Sequence, residues 1–464
     1  MAEREKKTEE GTKTEEANGK NKRRILVLLL LILLLLGSGI GILVRKLAGR
    51  EGNISGGELA RRLSAEGADT IEITGDITVK EPIVVNGDKT LTGDGRILAE
   101  SDLGGDWSNE TGSKTSWGMG CPPVKAEDTA KMSFLLTVKG GASLTLKGSV
   151  DVDAKGKTNG ILVEADGSLF LTEKAAVENG RYVNLKNTQG AKAEITGGEM
   201  RDGTVFGVIN DGELNLAGGT LSGKSTGAVL YTTGQAFQSG GTVSTSKNHN
   251  VYVAAGTFIM KDGINDKAAK DGVVVADGAK AEVTGGTVSN CVHGLCNSGS
   301  MNAGKITLNE CGIMNYASGN LELDKTMVDT AAVYCLANNG GKVTAKDFTA
   351  KGCDTCAVYN FSGDMTLTNL TVSGSRDGNV SNAGGTMTIN GGLLEKCRDK
   401  SVVVGNGKAV LDHVTIAGTS GEKYGAYAFG GELYLKDCDI MEVSSTAVKA
   451  DPGAYVELSG VEPN

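Results

Sequence analysis

Five residues spaced 22 to 24 apart, Asp347, Asn369, Gly391, His413 and Asp437, carry the side chains with most chemistry to offer. If successive turns of chain stack in register, His413 and Asp437 become neighbours at about 4.8 Å, the spacing between paired strands. A histidine beside a carboxylate can exchange protons with a substrate. The same residue types are also those that tight corners select, because Asn, Asp and Gly tolerate left-handed backbone. The column therefore reads either as a catalytic pair, His413 with Asp437, or as a run of turn residues. A third partner for catalysis is not evident in the sequence.

A second candidate lies between Ala99 and Ser133, where regular patterning lapses. This insert (99–133) holds both tryptophans, Trp107 and Trp117, together with Asp102, Asp106, Cys121 and Pro122-Pro123. Indole rings beside carboxylates can stack on and hydrogen-bond sugars, which makes Trp107, Trp117, Asp102 and Asp106 candidate ligand-binding residues. The alternative is that the tryptophans pack the long loop onto the body, since a loop of this length needs a core of its own.

The chain has nine cysteines. Cys291, Cys311, Cys353 and Cys397 follow one another by whole repeats and belong to one column. An odd count at apolar-looking positions fits buried thiols better than a disulfide framework, although a pairing among Cys291, Cys296 and Cys311 stays open. Cys353 and Cys356 form a Cys-x-x-Cys with no second pair to complete a metal site. No cofactor and no metal are expected. The two other histidines, His249 and His293, fall in variable turns and read as solvated surface.

The elements that must position these groups come from a repeat of 18 to 25 residues, mostly near 22. Its clearest copy is Gly207 to Leu221: a short apolar run, an Asn-Asp-Gly turn, an alternating strand, a Gly-Gly corner and another strand. Asn210 recurs as Asn297, Asn315, Asn360 and Asn382, at corners where left-handed backbone and amide stacking would both favour asparagine. The corner Gly219-Thr220 recurs at Gly241-Thr242 and Gly286-Thr287. In Leu370-Thr371-Val372, Val414-Thr415-Ile416 and Cys438-Asp439-Ile440 the outer two residues are apolar, and residues two apart share a face. They should point inward. A 22-residue period of short strands suits stacked β-coils, whereas helical repeats run longer.

Upstream, residues 1–24 are charged and lack apolar periodicity, as in a disordered tail. Residues 25–44 are uncharged and mostly aliphatic, flanked by Lys22-Arg23-Arg24 and Arg45-Lys46. Twenty such residues span about 30 Å as a helix, enough to cross a membrane. The richer basic flank places the N-terminus in the cytoplasm and everything after residue 44 outside. The alternative is a cleaved signal peptide with Gly37-Ser38-Gly39 at its site, and hence secretion. Residues 45–57 form a linker. In 58–66, Leu59 and Leu63 share a helical face and suit a helix capping the apolar end of a coil stack.

Composition agrees with such a body. Of 464 residues 69 are Gly and only 5 Pro, which suits frequent turns and close backbone stacking. The net charge of −9, with no basic stripe, argues against nucleic acid as a partner.

The stretches Gly75-Asp76-Ile77-Thr78, Ile83-Val84-Val85, Leu91-Thr92-Gly93-Asp94-Gly95 and Gly140 to Leu146 resemble the coils of pectin-lyase-like right-handed parallel β-helix proteins of Gram-positive bacterial surfaces. The resemblance continues to the C-terminus. It implies an all-β fold: a right-handed single-stranded parallel β-helix over 58–464, about 15 coils, with the capping helix and a transmembrane helix. It also implies that any active site would lie along an outer groove. Polygalacturonase-like signatures such as Asn-Thr-Asp, Asp-Asp and Gly-His-Gly are absent, and Val292-His293-Gly294 is the nearest approach. The expectation is a membrane-anchored extracellular surface protein, structural or adhesive, contacting the membrane through 25–44 and cell-surface or host glycans or proteins outside. A polysaccharide lyase or glycoside hydrolase on the same outer face is the alternative.

Overall fold

The computed structural model describes residues 54–103, 121, 124, 130–223, 225–418, 424–444 and 446–463. The tail and the apolar segment 25–44 lie outside them. Among the described residues no helix is long and apolar enough to cross a membrane. The chain divides into Met1–Ile54 and Ser55–Asn464, and the described residues other than Ile54 belong to the second unit.

That unit is a parallel β-solenoid of the right-handed type with about 16 turns, one more than the repeat count suggests. Each turn contributes three short strands. The first is Asp69–Ile73, Asp76–Val79 and Ile83–Val85. Every strand pairs in parallel with its counterpart in the next turn, so the three build ladders A, B and C. In register, Ile71 pairs with Leu91 in ladder A, Ile77 with Ile97 in ladder B, and Ile83 with Leu136 in ladder C.

Alternation of side chains decides what fills the lumen. Leu91, Leu146, Leu171, Ile195 and Leu216 stack turn upon turn in ladder A, all wholly or almost wholly buried. In ladder B, Leu370, Val372, Val414, Ile416, Cys438 and Ile440 are buried, while the intervening Asp439 meets solvent, as the alternation requires. All nine cysteines are free thiols, and only Cys291 is not fully buried. At inward positions of ladder B, as at Cys438, a small, polarizable thiol fills the lumen as alanine or valine would.

A helix, α1 (Gly56–Ser64), covers the first turn. It begins and ends two residues earlier than 58–66, because the Ser55 side chain caps it by accepting from the Glu58 amide. Leu59 and Leu63 are fully buried, and the Leu63 carbonyl accepts from the Asn86 amide of the first turn. Arg62 grips Asp69 with two hydrogen bonds of 2.9 and 2.7 Å.

The asparagine column is real, and of the two causes expected for it amide stacking holds and left-handed backbone does not. None of Asn210, Asn297, Asn315, Asn360 or Asn382 has left-handed backbone. They lie at the inward position two residues after the central apolar residue of each ladder C segment and are fully buried. Each amide instead donates to the next: Asn297 to Asn315 at 2.8 Å, Asn315 to Asn338 at 2.9 Å, Asn338 to Asn360 at 3.0 Å and Asn360 to Asn382 at 2.9 Å. A shorter run links Asn187, Asn210 and Thr232. Between the two runs the column carries Val253 and Val275. The left-handed positions lie elsewhere, at the corners of the coils, and Gly219 (φ 69°), between ladders A and B, is one of them. A Cβ there would stand 2.5 Å from the Gly197 carbonyl oxygen. Gly219→Ala is therefore expected to lower the denaturation midpoint, by about 1 kcal/mol or more in unfolding free energy.

Candidate binding face

The residues singled out by spacing do form one column. Asp347, Asn369, Gly391, His413 and Asp437 have φ of 53°, 54°, 70°, 55° and 48°. Each is the left-handed residue at the corner between ladders A and B. His413 Nδ1 lies 2.5 Å from Asp412 Oδ1, and one ligand atom each from Asp412, His413 and Asp437 fall within 4.8 Å of one another. The His413 hydrogen bond holds the Asp412 carboxyl below its ordinary range. Lys436 Nζ, however, reaches Asp412 at 3.3 Å and Asp437 at 4.0 Å, supplying a cation of the protein's own. The His413 side chain is 70% exposed, so water competes for every contact. Corner geometry explains the residue types without a ligand.

Of the insert, Asp102 forms an ion pair with Arg181 Nη1 at 2.9 Å. Trp107, Trp117 and Asp106 lie outside the described residues. Cys121, Val124 and Met132 are described, and they pack on the outside of ladder C against Phe134, Val183, Phe206, Ile209 and Tyr231.

This outer face of ladder C is the least ordinary surface of the molecule. Outward positions of a β-coil normally face water and are polar. Here the outward column runs Ile209, Tyr231, Tyr252, Val274, Cys296, Met314, Ala337 and Tyr359 through consecutive turns. It continues through Ser381 and Val403 to Tyr427. Three aromatic groups stand on it. Phe206 meets Tyr231 edge-on at 5.2 Å, and Tyr231 stacks on Tyr252 at 5.9 Å. Tyr334, Tyr359 and Phe361 lie 4.3 to 5.5 Å apart. Tyr427 lies 5.5 Å from Tyr424 and 5.9 Å from Phe429. Burial raises the Tyr231 hydroxyl to about 12, opposed by a backbone hydrogen bond with Val124.

Two polar groups escaped the sequence reading. His249 is not solvated surface: it is fully buried, with Nδ1 2.9 Å from Asp271 Oδ2 in ion-pair rather than hydrogen-bonding geometry. His293 Nδ1 contacts the other oxygen of Asp271 at 2.7 Å. The three residues are register partners at the start of ladder C strands. Burial would raise the Asp271 carboxyl, but the two imidazoles outweigh it and bring it down to about 2. The 22-residue spacing of His249, Asp271 and His293 was the available signal.

The second group lies on ladder B. Arg201 Nε contacts Glu178 at 2.5 Å, Nη1 contacts Glu199 at 2.6 Å, and Nη2 stands 3.9 Å from Asp151. Asp151 is raised to about 7, first by burial and then by the Glu178 carboxylate beside it. One Asp151 oxygen is buried without a hydrogen-bond partner. Two carboxylates sharing a site beside an arginine can hold a proton near neutrality.

No protein-family model and no curated protein match the chain. Among solved structures it is similar to the Streptococcus pneumoniae surface protein and adhesin PfbA. The identity is 10%, the match covers 87% of this chain and 94% of that chain, and the TM-score is 0.23.

Proposed function

We propose that this protein is a non-enzymatic surface β-solenoid, structural or adhesive, anchored in the cytoplasmic membrane by residues 25–44 with the coils outside. The observation that supports a binding role is the apolar, aromatic outer column of ladder C. Beside this column Val292, Val333, Phe361 and Phe429 are 54%, 46%, 37% and 50% exposed, and apolar groups gathered on one face favour an interaction site. Aromatic rings present large contact areas at low conformational cost. The partner class is a surface glycan or a protein.

The test is retention of the purified full chain on immobilised polysaccharides and on intact cells, with Tyr359→Ala and Phe429→Ala beside it. Retention that falls about tenfold in both variants is the expected result. Unchanged retention in both would remove the face from the proposal, and depolymerisation of any polysaccharide in the panel would favour an enzyme.

One observation favours that second reading, a lyase or hydrolase: the Asp151–Glu178–Arg201 group. A carboxyl at about 7 can act as an acid near neutrality. Because its folded value lies above the unfolded one, the folded state holds a proton that the unfolded state releases. Stability is therefore expected to fall as pH rises from about 4 to about 7. Asp151→Asn should flatten that slope in denaturation measured across pH. If turnover is found and Asp151→Asn leaves it intact, this group is not its centre.

A further inference from the structure

The Cys-x-x-Cys of Cys353 and Cys356 is not the pair of thiols that the fold brings together. The strand Thr349–Cys353 ends at the corner between ladders B and C, and the next strand begins at Cys356. Cys356 turns its sulfur to the Val358 carbonyl of its own strand, at 3.2 Å. Cys353 faces the preceding turn instead. Its register partner there is Ala331, and its sulfur lies 2.7 Å from the Val333 carbonyl oxygen. Cys335 belongs to that preceding turn and returns the contact: its sulfur stands 4.0 Å from the Gly352 carbonyl oxygen. The two thiols hydrogen-bond with each other across the corner.

The pair divides into an attacking and a resolving thiol. The hydrogen bond with Cys335 holds the Cys353 thiol down to about 7, against burial and with help from the Thr355 backbone and hydroxyl. The same bond, together with burial, raises Cys335. A thiol near 7 is largely thiolate at neutral pH, and the thiolate is the attacking form. Asp354 and Val333 beside the pair are exposed, so this corner lies at the surface and opens more readily than the lumen. Hydrogen-bonded thiols also stand within a small side-chain rotation of a sulfur–sulfur bond, about 2 Å long.

We propose that Cys335 and Cys353 form a redox site, which takes a low-molecular-weight disulfide and closes a cross-link between neighbouring turns. The Cys353 thiolate attacks one sulfur of that disulfide, forms a mixed disulfide and releases the other half. Cys335 then gives up its proton and attacks the Cys353 sulfur, expelling the second small thiolate. Two protein thiols are oxidised to one disulfide, and the small disulfide is reduced to two thiols that take up the two protons. The cross-link restricts the unfolded chain and so stabilises the stack. The site goes beyond the surface role proposed above and does not depend on it, although coils outside the cell would meet oxidising surroundings.

The test is incubation of the folded full chain with oxidised glutathione, then alkylation of the remaining thiols and digestion on the amino side of aspartate. That cleavage places Cys335 in 329–346, Cys353 in 347–353 and Cys356 in 354–363. The expected product joins 329–346 to 347–353 and persists in Cys356→Ala. It should raise the guanidinium midpoint, and dithiothreitol should reverse the rise. Cys335→Ala should leave Cys353 carrying one glutathione, a mixed disulfide that a packing role alone would not produce. Cys335→Ser takes the place of this variant if circular dichroism shows it unfolded. A link from 347–353 to 354–363 would assign the chemistry to the Cys-x-x-Cys and overturn the proposal. So would alkylation of both thiols after the incubation, formation of the link only in guanidinium, or a link that leaves the midpoint unmoved.

Discussion

Asn338→Leu is expected to destabilise the solenoid by about 3–5 kcal/mol, because it strands buried polar groups on both sides of the substituted turn. Asn338 is fully buried in the middle of the longer amide run. It accepts from Asn315 at 2.9 Å and donates to Asn360 at 3.0 Å, and its Nδ2 also reaches the carbonyls of Gly341 and Ser362. Leucine is close in volume, so lost hydrogen bonds rather than a cavity dominate. The Asn315 donor and the Asn360 acceptor then face a methyl group, each costing about 1–3 kcal/mol. Asn382→Leu supplies the comparison. Its neighbour in the next turn is Val404, so it has one amide partner and should cost about half as much. Equal effects for both substitutions in guanidinium denaturation would show that the amides act singly and not as a column.

Asp271→Ala should cost about as much, roughly 3–5 kcal/mol, since it removes the carboxylate that both imidazoles contact and leaves the buried His249 without that partner. The pH dependence follows from the same contacts. The folded carboxyl lies near 2, below its unfolded value. It therefore contributes stability at pH above about 4, and that contribution is lost as pH falls from about 4 towards 2. The shift corresponds to about 2 kcal/mol. Denaturation of the parent chain at pH 6 and pH 2.5 should show that loss, and Asp271→Asn should be less sensitive over the same window. A variant as acid-sensitive as the parent would place the effect elsewhere.

These two sites differ in how far the sequence revealed them. Asn297, Asn315, Asn360 and Asn382 stand out because an unusual residue returns at the repeat length in an otherwise apolar position. Asn187 and Asn338 belong to the same column and were overlooked, being preceded by less regular strands. Of the two reasons for asparagine at these positions, amide stacking is the one that operates, and left-handed backbone belongs to corner residues such as His413 and Asp437. Both classes of position prefer asparagine, and composition alone does not separate them. His249, Asp271 and His293 have the right spacing, but their mixed types read as turn residues. A glycine or asparagine after each of them lets this first strand position share the outer face with the fourth, so Phe206 meets Tyr231 and His249 lies 5.6 Å from Tyr252. Simple alternation predicts the opposite face. The Asp151, Glu178 and Arg201 group was hidden by uneven corner lengths, which place register partners 25 and 23 residues apart. The apolar outer column was invisible for a different reason. Tyr231 and Tyr252 look like ordinary strand residues until the insert is seen lying across them.

The break in the amide column has a mechanical meaning. Turns of a solenoid touch only their immediate neighbours, so a pull along the stack is transmitted link by link. Amide-to-amide bonds tie Asn187 to Asn210 on one side and Asn297 through Asn382 on the other. Val253 and Val275 occupy the two links between, and those same two strands begin with His249 and Asp271. Under tension, and more readily in acid, the stack should part at this seam into two stapled blocks rather than ravel from an end. A stack built this way has its point of yielding set internally, beside the only buried ion pair of histidine and aspartate among the described residues.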